Sequence, residues 1–373
     1  MDPRVDRLAQ ILVEYSCEVK PGDHVAIYAS NDAEPLVRAV YRRILRAGGI
    51  PYAWMGYGVY FSYGGFDDIF FKEASDEQLQ HVFRTDQLVL REFQAMIAIR
   101  SQTNTRLLSG IDAKRQQLRN QAYAELHKAY LARGASRELK WVVTLFPNDA
   151  QAQEAEMDRQ SYEDFVYAAC HADQEEAVAT WGEVDRQQAR LVDWLKGKKQ
   201  VEVKGPTVDL RLSIEGRTFN NANGKFNMPD GEVYTGPVED SVEGWIRFTY
   251  PAVRYGAEVE GVELTFEGGR VINSAATKNH EFLEKMLDTD EGSRRLGEFA
   301  IGTNHQIDRF TKNILFDEKL GGTIHLAIGS GYPETGSVNE SGIHWDMICD
   351  MGPDGEIVVD GDLFYRGGQF LID

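Results

Sequence analysis

The sequence predicts an α/β domain over residues 1–199, followed by a β-rich α+β domain over residues 200–373. Three observations carry this reading. The first 60 residues follow a strand–helix–strand pattern. The composition changes near KGKKQVEVKGP (196–206). Downstream of it come many short strands separated by glycine turns. A chain of 373 residues is long enough for two domains with their own cores.

In the first domain, Val5, Leu8, Leu12 and Tyr15 recur at helical spacing, and HVAIYA (24–29) reads as a short buried strand. Leu36, Val37, Val40, Ile44 and Leu45 form the next helical stripe, stopped by Gly48–Gly49. PYAWMGY (51–57), AMIAIR (95–100) and KWVVTLFP (140–147) supply further strands of a partly parallel sheet. QAYAELHKAYLARG (121–134) is a polar helix between the last two, and residues 149–196 are largely helical and acidic. No G-x-G-x-x-G or G-x-x-x-x-G-K-[ST] stands near the first strand, so a nucleotide site has no support.

In the second domain, VDLRLSIEGR, VELTFEGGRVIN, TIHLAIG, IHWDMICD and EIVVDGDLFYRGGQF read as strands, with hairpins at EGG and DGD.

The net charge of −19 disfavours nucleic acid and anionic membranes, whose phosphates would be repelled. Cys17, Cys170 and Cys349 form no C-x-x-C and no even framework, which predicts reduced thiols and a cytoplasmic protein. MDPRVDRLAQ carries no signal-peptide core, and no apolar run has the length of a membrane span.

The chemistry concentrates in the two histidine strands. In SGIHWDMICD (341–350), His344 and Asp346 share one strand face, while Ile343, Trp345, Met347 and Cys349 fill the other. TIHLAIG (323–329) repeats the design, with Ile324, Leu326 and Ile328 behind His325. The remaining histidines, at 24, 81, 127, 171, 280 and 305, lie in polar or turn sequence and read as surface or capping residues. Glu232 in NMPDGEVYTGP, Glu298 in RRLGEFAIG and Glu318 in LFDEKLGG add oxygen donors to the two imidazoles. Such a mixture suits Zn²⁺, Co²⁺ or Mn²⁺.

At these residues the chain resembles the M29 family of metallo-aminopeptidases, the thermophilic aminopeptidase T group. The likeness extends over nearly the whole chain, from LAQILVEYSCEVKPGDHVAIYAS through WVVTLFPNDAQAQEAEM. It continues through NMPDGEVYTGPVEDSVEG, LGEFAIGTN, LFDEKLGGTIHLAIGSGY and SGIHWDM, in that order.

The resemblance implies removal of N-terminal amino acids from peptides with a free N-terminus, by a water activated between two divalent ions (Zn, Co, Mn or Mg). Carried over residue by residue, it implies Glu232, Glu298, Glu318, His325, Tyr332, His344 and Asp346 as the metal-binding set, with the acid pair Asp317–Glu318 preceding the central histidine. Glu298 is then the bridge between the ions, Glu232 or Glu298 the general base, and Tyr332 a weak ligand or a hydrogen-bond donor to the reaction intermediate. It also implies a homodimer. The segment KLGGTI between Glu318 and His325 is longer than the family's DENA-type form, and the loop between His325 and His344 is short.

Two alternatives use the same residues. His325, His344 and Asp346 make a 2-His-1-carboxylate set suited to mononuclear Fe(II), as in ring-cleaving dioxygenase relatives of the group. A non-catalytic metal-binding protein of the same fold is the other.

Overall fold

The computed structural model describes residues 2–56, 66–254 and 256–372. The chain divides into two units, Met1–Gly182 with Gly224–Pro229, and Glu183–Asn223 with Asp230–Asp373.

The first unit is built on a parallel sheet. Strands β1 (His24–Ala29), β2 (Ile50–Met55), β3 (Ala95–Arg100) and β4 (Lys140–Leu145) lie in the order β2-β1-β3-β4, and the short strand Asn227–Met228 pairs with β4. Val25, Ala26, Ile27 and the run Ala95–Ile99 are wholly buried, as continuous apolar strands of a parallel sheet must be.

The N-terminal helix starts at Pro3, capped by the Asp2 carboxylate, which accepts from the Arg4 amide at 2.8 Å. It continues as a wider π turn over Ile11–Ser16, and Val5, Leu8, Leu12 and Tyr15 are all buried. On the helix Glu34–Arg46, Leu36, Val37, Val40 and Ile44 are buried but Leu45 is exposed. One residue is about 100° of helical turn, enough to carry it off the stripe. The strand expected over 51–57 is β2; Tyr57 lies outside the described residues. The polar helix runs over Ala113–Ala135, longer than expected, and residues 149–196 contain the helices Asp149–Glu154, Arg159–Ala169 and Ala177–Leu195. The three cysteines are free and buried.

The second unit holds two larger antiparallel sheets. The eight-stranded one runs Arg270–Ala275, Glu263–Glu267, Glu243–Arg247, Val208–Ser213, Gln200–Gly205, Glu356–Val359, Asp362–Arg366 and Gln369–Phe370, with hairpins at EGG and DGD. The five-stranded one comprises β5 (Asn220–Ala222), β6 (Glu232–Thr235), β7 (Leu296–Gly302), β8 (Thr323–Gly329) and β9 (His344–Asp350), in the order β9-β8-β7-β6-β5. Its back face, including Val233, Phe299, Ile301, Ile324, Leu326, Ile328, Trp345, Met347 and Cys349, joins one hydrophobic core with residues of the eight-stranded sheet. That burial fixes which way every side chain of β6–β9 points, because a slip of one residue would turn the apolar set outward.

Candidate metal centre

The front face of the five-stranded sheet follows from the same alternation. In the register of β7, β8 and β9, Ala327 pairs with both Glu298 and Asp346, Ala300 pairs with His325, and Gly329 pairs with His344. Gly302 pairs with Glu232 on β6. Each polar side chain therefore stands opposite an alanine or a glycine on at least one neighbouring strand, though His325 also pairs with Ile348 on β9, and these small partners leave room for the long ones to converge.

Glu298 sits at a β-bulge, where the register shifts between Leu296 and Glu298. Glu298 lies on a strand buried from end to end. At Gly297 an added Cβ would lie 2.3 Å from the Ser330 carbonyl, so only glycine lets β7 pass this close.

Six of the seven implied residues form the cluster. His325 Nε2 lies 3.3 Å from Glu232 Oε2 and 3.8 Å from Glu298 Oε1. His344 Nε2 lies 3.2 Å from both Glu298 Oε2 and Asp346 Oδ1. Donor atoms within 4.8 Å of one another make three sets: Glu232, Glu298 and His325; Glu298, His344 and Asp346; and Glu318, His325 and Asp346. Glu298 is common to the first two.

Tyr332 stands at the rim. Its ring centroid is 5.0 Å from that of His344 and 5.5 Å from that of Tyr234, and the residue is 38% exposed. Its loop is pinned by Glu239, which accepts from Val338 N at 2.7 Å, and by Asn339, whose amide donates to the Gly329 carbonyl at 2.6 Å. Asp317, the other half of the acid pair, faces elsewhere. Its carboxylate accepts from the Thr311 amide and hydroxyl at 2.7 and 2.8 Å, leaving Glu318 as the member that reaches the cluster.

The donor set fits a metal. His344 Nδ1 is 2.7 Å from the Ser330 carbonyl, an acceptor, so Nδ1 carries the proton and Nε2 is aimed at two carboxylates. A lone pair facing carboxylates is repulsive unless a cation or proton lies between them. Glu232 Oε2 and Asp346 Oδ1 are buried, face imidazoles and make no well-formed hydrogen bond.

The electrostatics agree. Burial works against the charged form of His325, but Glu232, Glu298 and Asp346 outweigh it and raise its pKa to about 9. Burial likewise opposes the Asp346 carboxylate, yet the His344 charge holds its pKa below the usual range. Burial pushes Glu232 up to about 8, with Lys319 and His325 acting against it. The same clustered carboxylates that raise His325 would attract a cation.

Two groups escaped the sequence reading. Lys319 is wholly buried, 3.2 Å from Glu232 Oε1 and 4.0 Å from Asp230 Oδ1, and in contact with Glu318. Its only trace in the sequence is a lysine placed directly after the acid pair. Arg254 donates to the His344 carbonyl and ties β9 to the strand Ala252–Arg254; no pattern in the sequence marks it.

The whole chain is similar to several known proteins. Aminopeptidase 2 of Geobacillus stearothermophilus is 28% identical, across all of this chain and 98% of the relative. Aminopeptidase AmpS of Bacillus subtilis is 26% identical, over 98% of each. The solved structure of wild-type AmpT from Thermus thermophilus superposes with a TM-score of 0.82 at 24% identity, covering 99% of both chains. The 2,5-dihydroxypyridine dioxygenase of Pseudomonas putida, with a TM-score of 0.60 at 12% identity over 99% of this chain and 97% of that one, has the same fold. The family model for the thermophilic metalloproteases (M29) matches residues 1–370, a span that contains the first unit, all but the last three residues of the second, and every residue of the cluster. The chain belongs to the M29 family of thermophilic metalloproteases.

Proposed function

We propose that the protein is a metal-dependent aminopeptidase that removes N-terminal amino acids from peptides, using two divalent ions. The observation that carries this reading is the pair of imidazole–carboxylate sets sharing Glu298. Glu232, Glu298 and His325 would hold one ion, and Glu298, His344 and Asp346 the other, with zinc, cobalt, manganese and magnesium all compatible with such donors. When bound, the ions would polarise the scissile carbonyl and lower the pKa of the attacking water.

The chain's own residues supply the rest. The buried carboxylates make the pocket attractive to the ammonium of a free N-terminus and indifferent to an acylated one. Glu298 is engaged by both histidines, which suits a bridge. Glu232 keeps Oε2 directed into the cluster with no hydrogen bond, and is the carboxylate suited to take a proton and return it to the leaving amine. Tyr332, at the rim, would donate its hydroxyl to the substrate's carbonyl oxygen as charge develops there.

The mononuclear iron reading has no use for Glu232 and Glu298, and both are buried in the cluster. No helix among the described residues is long and apolar enough to cross a membrane; a cytoplasmic homodimer acting on peptides is part of the same proposal. The test is release of amino acids from leucyl peptides after loading with Co²⁺ or Zn²⁺, beside N-acetylated copies. Release that stops on acetylation or chelation supports the reading, and metal-loaded protein with no release from any peptide overturns it.

A further inference from the structure

Lys319 is the feature of the cluster that metal binding does not account for. It follows the short helix Ile314–Asp317 and has no exposure to solvent. A lysine is seldom fully buried without paired charge. Here its ammonium is 3.2 Å from Glu232 Oε1, 4.0 Å from Asp230 Oδ1 and in contact with Glu318. Asp230 and its neighbours are themselves fixed: Asn304 donates to the Asp230 carbonyl at 2.9 Å, and Gln188 to the Glu232 carbonyl at 3.1 Å. The lysine thus reaches into a rigid acidic pocket. It approaches a carboxylate of the first donor set, Glu232, and one of the third, Glu318.

Charge counting gives this position a meaning. Asp230, Glu232, Glu298, Glu318 and Asp346 bring five carboxylates into one buried region. With both imidazoles neutral, two divalent ions balance four of those charges, and Lys319 supplies the fifth. Without ions, Lys319 is the permanent cation closest to Glu232 and Glu318 among the described residues.

We infer that Lys319 is a resident cation of the site. It is a positioning residue that holds Glu232 and Glu318 together while no metal is bound, and it repels the ions that enter. It thereby keeps the metal-free protein folded and sets how tightly metal is held. This inference rests on the two-ion reading above. Its physical basis is that a buried carboxylate stripped of its cation is destabilising, while a positive charge beside a metal ligand weakens the metal's own attraction to it.

The experiment compares thermal unfolding of the whole protein, metal-free and with Zn²⁺ or Co²⁺ alone, for wild type, Lys319→Met and Lys319→Arg. Zn²⁺ affinity is measured in parallel by competition with a chelator. For Lys319→Met, the metal-free Tm should fall by about 5 °C or more while the loaded form moves much less, so the metal-induced rise in Tm grows. Zn²⁺ should bind about tenfold more tightly or better. Lys319→Arg, which keeps the charge, should restore the wild-type metal-induced rise.

An equal loss of Tm in both forms, or unchanged or weaker Zn²⁺ binding, overturns the inference and leaves the function standing. Should Lys319→Met fail to fold, Lys319→Gln takes its place. Failure of both to fold even with metal assigns Lys319 to packing and overturns the inference. A wild type that responds to neither Zn²⁺ nor Co²⁺ overturns the functional reading and this one with it.

Discussion

The parallel sheet of the first unit and the five-stranded sheet of the second handle burial in opposite ways. On β1 and β3 the interior positions are apolar on both faces, and Ala26, Ile27, Met96 and Ile97 are all without solvent exposure. On β7, β8 and β9 the back face is equally apolar, yet the front buries Glu298 and His325 almost as completely. Charged groups are tolerated there because each has an oppositely charged or metal-binding neighbour, and because Ala300, Ala327, Gly302 and Gly329 leave the volume they need. One sheet stores stability. The other uses part of its stability to hold a reactive arrangement.

Substitutions can break this contrast. The largest effect is expected at the shared acid. Glu298→Gln should cut peptide hydrolysis by about 10³-fold or more and lower the bound metal per chain, read by elemental analysis after dialysis. His344→Ala should likewise remove metal and activity while leaving circular dichroism and the soluble yield near wild type. Retained full activity would sink the assignment of His344.

In the first unit, Ile27→Ala should cost about 2–5 kcal/mol by denaturant titration without changing metal content in the folded protein. Ala327→Val tests whether the small partners matter. Its added methyls would crowd Glu298 and Asp346, costing about 1–3 kcal/mol and weakening metal binding more than Ile27→Ala does.

A pH-dependent effect is expected at Asp67, in the helix Asp67–Glu73 of the first unit. Burial, reinforced by the Asp68 charge, raises its pKa from 3.8 to about 8. The folded state therefore holds a proton that the unfolded state has lost, and stability falls as pH rises between those values. Asp67→Asn should flatten that decline, measured as Tm at pH 5 and pH 8.

Legibility in the sequence divides along the same line. Both histidine strands, their apolar backs and the identity of His325, His344 and Asp346 could be read from period-two alternation, because one buried face forces it. Register between strands leaves no such trace: Glu232 and Glu298 stand in the sequence as candidate oxygen donors, and only the resemblance joined them into one ligand set. The bulge that aims Glu298 depends on Gly297 meeting the Ser330 backbone, a contact between segments more than thirty residues apart. In the sequence Lys319 is marked only as a lysine that follows two acids. Only the fold of Asp230 and Glu232 around it makes it interior.

The hydrogen bond from His344 Nδ1 to Ser330 has an evolutionary consequence. Its acceptor is a main-chain carbonyl. Any amino acid at position 330 presents that oxygen, so single-residue replacement there does not erase the imidazole's orientation. What would erase it is a change in the length of the connection between β8 and β9, which moves the carbonyl itself. Descendants of this sequence are therefore free to drift in the identity of residue 330 and constrained against insertions or deletions around it.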